Sequence, residues 1–224
     1  MVDKYQLDKW LWTHSDFADM GWHDSIIYGL KIDLDIYFDI DYIFKWVEPD
    51  QDLWFSFWIA PCTLVFESPT KVQFNLENTG PDNQLEIADL YQEINKDDNT
   101  EWRIETNMGD VLIEAKRFKQ IVRRQPTLQA GQQIIPEERG EVSFSVTHEK
   151  AFIETDQVKL IKEKQFLLQM KATEVKHLQI ELANLFDKRI RNEIDVKQYI
   201  LSKRHIEQQI EKFRQDLNSD NVEV

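Results

Sequence analysis

The sequence predicts an α+β protein: a mainly antiparallel β sheet or sandwich, followed by a C-terminal antiparallel helical hairpin of coiled-coil character. Three observations predict it. All six Gly and all six Pro lie at or before Gly140, so the last 84 residues carry no turn punctuation. The residues before that point form short β-prone runs separated by turn formers. From about Thr155 the apolar spacing switches to alternating steps of three and four.

The expected strands are Ser25–Lys31, Ile36–Trp46, Leu53–Phe66, Lys71–Leu76, Leu85–Tyr91, Trp102–Thr106, Val111–Lys116, Phe118–Arg123 and Val142–Val146. Turn residues divide them at 48–52, 67–70, 78–83, 95–100 and 107–110. Phe74 and Leu76 alternate with Gln73, Asn75 and Glu77, and Trp102 and Ile104 alternate with Arg103 and Glu105. Such alternation buries one face and wets the other, as antiparallel sheets do. Leu53–Phe66 is apolar on both faces and reads as a central strand, bent or ended near Pro61. Residues 125–140 read as a long polar surface loop.

In the tail, Val196, Tyr199, Lys203, Ile206, Ile210, Phe213 and Leu217 form one apolar seam. Ile161, Leu168, Val175 and Leu182 recur every seven residues, with Leu178 and Leu185 between them. Asp195, three residues before Gln198, is the expected N-cap of the second helix, which places the turn near 187–195. The expected domains are an acidic β domain, 1–150, and the hairpin, 151–224.

The acidity is uneven. Residues 1–110 carry 23 acids against 7 bases, a net −16, whereas the remainder carries 18 against 20, a net +2. A field of that sign repels nucleic acid and attracts a basic protein. One Cys, Cys62, forms no intramolecular disulfide and suits a reducing compartment. With no secretory leader pattern and no apolar run of spanning length, a cytoplasmic location without membrane contact is expected.

Few residues suggest chemistry. Trp22-His23-Asp24 opens the first expected strand, and His23 with Asp24 offers an acid–base or metal pair. Adjacent strand residues point to opposite faces, however, which argues for structural roles. In 33–41, Asp35, Tyr37, Asp39 and Asp41 should share one face, opposite Leu34, Ile36, Phe38, Ile40 and Tyr42. A row of carboxylates repels itself and calls for lysines or arginines, a cation or a basic partner. Lys116, Arg117, Lys119, Arg123 and Arg124 are expected to meet such carboxylates within the fold. Cys62, set in an apolar strand, reads as core rather than nucleophile. No catalytic residue, metal site or cofactor motif is assigned.

Trp22-His-Asp-Ser-Ile-Ile27, Phe38-Asp-Ile-Asp-Tyr-Ile-Phe-Lys-Trp46, Phe57-Trp-Ile-Ala-Pro-Cys-Thr-Leu-Val-Phe66, and Phe118-Lys-Gln-Ile-Val-Arg-Arg-Gln-Pro126 followed by Glu137-Glu-Arg-Gly140 resemble, in that order, a family of uncharacterised bacterial proteins. The resemblance spans about residues 15–145 and implies no activity. The Trp-His-Asp opening is also distantly similar to immunity proteins of bacterial toxin systems. Lys31–Asp35 is shorter than that pattern, and the helical tail lies outside it.

The expected function is therefore a non-catalytic interaction module, in one form an immunity-type inhibitor of a basic protein. Trp22, His23, Asp24, Asp35, Asp39 and Asp41 are its candidate contacts, and the hairpin is a candidate homo-oligomer surface. The alternative is a metal-dependent or acid–base enzyme built on His23, Asp24, Asp39 and Asp41.

Overall fold

A computed structural model describes residues 5–48, 55–77, 84–94, 100–149 and 151–221. The turns expected at 49–52, 78–83 and 95–99, and the beginning of the strand expected at Leu53, lie outside them. The chain divides into a β unit ending at Val158 and a helical unit beginning at Lys159.

The β unit is one antiparallel sheet of ten strands among the described residues: β1 (Leu11–Thr13), β2 (Ser25–Ile32), β3 (Ile36–Val47), β4 (Ser56–Glu67), β5 (Lys71–Leu76), β6 (Leu85–Ile94), β7 (Thr100–Thr106), β8 (Gly109–Glu114), β9 (Arg117–Val122) and β10 (Thr127–Gln129). The spatial order is β1-β9-β4-β3-β2-β6-β7-β8-β5, with β10 paired to β4. A 3-10 helix, His14–Asp19, follows β1.

The sheet curls over its own core. Trp102 on β7 and Phe118 on β9 lie five strand steps apart, about 24 Å on a flat sheet. Their ring centroids nevertheless stand 5.0 Å apart, edge to face. Trp22, Phe38, Ile40, Leu64, Phe66, Ile104 and Ile113 fill the same interior. Trp102 sends its indole N–H to the Ala115 carbonyl at 2.9 Å, so its one polar atom is satisfied.

β4 is central and runs unbroken through Pro61, contrary to the bend or end expected there. Pro61 faces the place where two neighbours meet on one edge: β9 pairs with Cys62–Glu67 and β10 with Phe57–Ile59. Its carbonyl accepts from Arg123 N–H at 3.0 Å, and its missing N–H falls at that junction.

The stretch 125–140 is not a surface loop. It contains β10 and a short helix, α1 (Pro136–Arg139), and buries Gln129, Ala130, Ile134, Ile135, Glu138 and Arg139. Val142–Val146 is not a strand either. It continues this strap across the outer face of the sheet, with Ser143 N–H bonded to Asp39 Oδ2 at 2.9 Å and Ser145 C=O accepting from Thr63 Oγ1 at 2.7 Å. Gly29 admits the strap: a Cβ there would lie 2.6 Å from Val142 Cγ1.

In the helical unit, α2 (Asp156–Ile190) and α3 (Val196–Asn221) form the hairpin. Asn192 closes the turn with φ 55°, and Asp195 Oδ1 accepts from Gln198 N–H at 2.9 Å as the expected N-cap. Ile206 and Ile210 are buried and Tyr199, Lys203 and Phe213 half-buried, so the seam spacing holds along α3; Val196 is exposed. No helix among the described residues is long and apolar enough to cross a membrane.

Candidate functional site

The outer face of β3 carries Asp39 and Asp41, opposite Phe38, Ile40 and Tyr42, as strand alternation requires. The expectation of a partner-facing row is corrected by burial: both carboxylates are 0% exposed. Asp39 accepts from Arg123, from Arg139 Nη2 at 2.8 Å and from Ser143 N–H. Asp41 accepts from Arg139 Nε at 3.0 Å, Ile134 N–H at 3.0 Å and Tyr28 Oη at 3.1 Å. The guanidinium of Arg139 also lies 3.5 Å from the Tyr28 ring centroid. Burial pulls the Arg139 pKa down, but Asp41 and Asp39 outweigh it and hold the group above its ordinary value. Burial, followed by the Asp41 charge, pushes the Tyr28 phenol well up. Arg124 adds a second clamp, with Nη1 and Nη2 each 2.8 Å from a carbonyl, those of Glu138 and Arg139.

Two further members of the basic cluster meet a carboxylate as expected: Lys119 reaches Glu67 at 2.8 Å and Arg117 reaches it at 3.4 Å. Asp35 sits in the β2–β3 turn, where Oδ1 accepts from Ser68 N–H at 2.9 Å. Trp22 is buried and donates to Gln120 Oε1 at 2.9 Å. Cys62 is buried too, and burial holds its thiol well above the ordinary range, which removes the thiolate a nucleophile needs.

His23 and Asp24 come together, contrary to the opposite faces expected. The strand begins only at Ser25, and Asp24 has φ 62°, so alternation does not apply. His23 Nε2 lies 3.4 Å from Asp24 Oδ1, and Nδ1 lies 2.9 Å from the Ala88 carbonyl. Asp24 Oδ2 accepts from Gln132 Nε2 at 2.6 Å. Glu86, unassigned by the sequence, joins this group: burial first, then the charge of Asp24 and a hydrogen bond with it, raise its pKa. The Ala88 hydrogen bond, then Asp24, Asp89 and Glu86 against partial burial, raise that of His23.

Aromatic rings adjoin this acidic group. His23 lies nearly parallel to Trp46 with centroids 6.3 Å apart, and Trp46 meets Phe55 at 5.7 Å and Phe57 at 5.1 Å. Trp46 and Phe55 are each 41% exposed. Nothing in the spacing of residues 23, 46, 55 and 86 foretells this grouping, which depends on the β2–β3 and β2–β6 pairings.

The four residues of the enzyme alternative divide into two settings. Asp39 and Asp41 are enclosed and satisfied, whereas His23 is exposed and the buried Asp24 lies beside it. Among the described residues, no three His, Cys, Asp or Glu side chains are placed to hold a metal ion. The rim can draw a cation against an aromatic surface. Comparison with protein-family models, curated proteins and solved structures finds no match to this chain.

Proposed function

We propose that the protein is a non-catalytic interaction module that holds a basic segment of another protein at the rim formed by His23, Asp24, Glu86, Trp46 and Phe55. One observation supports this reading: the half-exposed Trp46 lies nearly parallel to the exposed His23, which in turn lies 3.4 Å from Asp24, on the strongly acidic part of the chain. Lysine and arginine stems pack on such rings while their charged heads reach the carboxylates. The contact set differs from the sequence expectation, because Trp22, Asp39 and Asp41 serve the interior. An immunity-type inhibitor in the bacterial cytoplasm is the specific form of this reading, and the lone Cys62 accords with that compartment. Self-association through the hairpin is a separate part of the proposal.

The test is titration of the full chain with a short Arg/Lys-rich peptide and with an acidic peptide of equal length, at low and high salt. The basic peptide should bind in a salt-dependent way, and Trp46→Ala and Glu86→Gln should each weaken it, the former about tenfold. Equal binding of both peptides, or indifference to both substitutions, would refute the assignment.

A further inference from the structure

β5 ends the sheet. It pairs with β8 on one side, and no strand pairs with its outer side among the described residues. Glu77 sends its N–H inward to the carbonyl of Met108, just before β8, at 2.7 Å, so strand alternation turns the N–H and C=O groups of Val72, Phe74 and Leu76 outward. The usual guards of a free edge are few here: the strand has no Pro and no bulge, and its one charge is Lys71 at the beginning. Opposite Val111 and Ile113 of the core, Phe74 and Val72 lie on the inner face; Phe74 and Leu76 remain 40% exposed there.

The strand is complementary to itself when reversed. An antiparallel partner centred on Phe74 sets residue 71 against 77, 72 against 76 and 74 against its own copy. Lys71 then faces Glu77 twice, Val72 faces Leu76 twice, and the two Phe74 rings meet on the two-fold axis. With that axis normal to the sheet, the inner faces of both copies stay on one side and the half-exposed apolar groups cover one another. The outward N–H and C=O groups of residues 72, 74 and 76 match in the same register. Residues 71–77 carry one Lys and one Glu and hence no net charge, and Lys71 also reaches Glu114 of β8 at 3.4 Å.

We infer that β5 is a homodimer edge, joining two copies of this chain antiparallel about Phe74 into one continuous sheet. The inference stands apart from the basic-partner reading, since it uses another part of the sheet. It is tested by sedimentation of the full chain over a wide concentration range. A monomer–dimer equilibrium is expected. Phe74→Lys sets like charges directly opposite and should raise the dissociation constant about tenfold or more. Lys71→Glu and Glu77→Lys should each weaken the dimer several-fold, and the two together should restore it, because each contact pairs one residue with the other across the axis. Circular dichroism checks that the variants fold; all three positions are at least partly exposed. A chain monomeric at every concentration overturns the inference. So does a dimer indifferent to Phe74→Lys, which would move self-association to another surface, or a double charge swap no better than the single ones.

Discussion

Arg139 donates from Nε to Oδ1 of Asp41 at 3.0 Å, with the two side chains only 3% and 0% exposed. The same guanidinium reaches Asp39, which Arg123 also holds, so two arginines balance two carboxylates that would otherwise repel each other on adjacent sites of one strand face. Removing Arg139 strands charge inside the protein. Arg139→Met should lower unfolding free energy by about 3–5 kcal/mol in urea titration. Adding Asp41→Asn should recover part of that loss. A decrease below about 1 kcal/mol would show that the strap is not held by this pair.

Glu86 links stability to pH. Its folded pKa is raised above the ordinary 4.5 by burial and by Asp24, so the native state holds this proton more tightly than the unfolded chain. Its contribution is complete below about 4.5 and is lost as pH rises through the folded value. Glu86→Gln should therefore gain stability relative to the parent as pH increases above 4.5, then level off. A difference that shrinks with rising pH would contradict the sign.

His23 provides a spectroscopic check on the same rim. Its imidazole should titrate above 6.5, chiefly because of the Ala88 carbonyl and then Asp24. Asp24→Asn should bring the NMR-detected midpoint part of the way down, leaving the Ala88 share in place. An unchanged midpoint would mean that the 3.4 Å approach of the two side chains does not persist in solution.

At Gly29 the strap leaves no room for a methyl group. Gly29→Ala should destabilise the β unit by about 1–3 kcal/mol, as overpacking does. Val142→Ala in the same chain should relieve much of this, since Val142 Cγ1 is the nearest obstacle at 2.6 Å. Thermal melts of the single and double variants decide it.

On the hairpin, Asp195→Ala removes the acceptor for Gln198 N–H and should weaken α3 by about 1 kcal/mol. Hydrogen exchange of the first turn of α3 should rise while exchange in β3 and β4 stays unchanged.

Much of this architecture was legible because local rules decide it. Lys71–Leu76 alternates cleanly between turns and is a strand with those bounds, and the three-four spacing from Tyr199 to Phe213 marks the side of α3 that is least exposed. Val142–Val146 misled for a physical reason. Its alternation is that of a strand, but its backbone bonds go to the side chains of Asp39 and Thr63 instead of to a neighbouring ladder. The carboxylates and the arginines were each visible in the sequence, whereas their pairing was not, since Asp39 meets Arg123 and Arg139 across 84 and 100 residues. His23 and Asp24 escaped the alternation rule through a single left-handed residue, and the rings beside them arrive from β3 and from the start of β4.

The strap also imposes an order on birth. Asp39 precedes Arg139 by 100 residues, so at synthesis rates of about 5–20 residues per second it emerges ~5–20 s before the guanidinium that will enclose it. Until then the outer face of β3 carries two charges that the strap has yet to cover. Those charges are sealed away only when Arg139 and Ser143, late in the β unit, reach them.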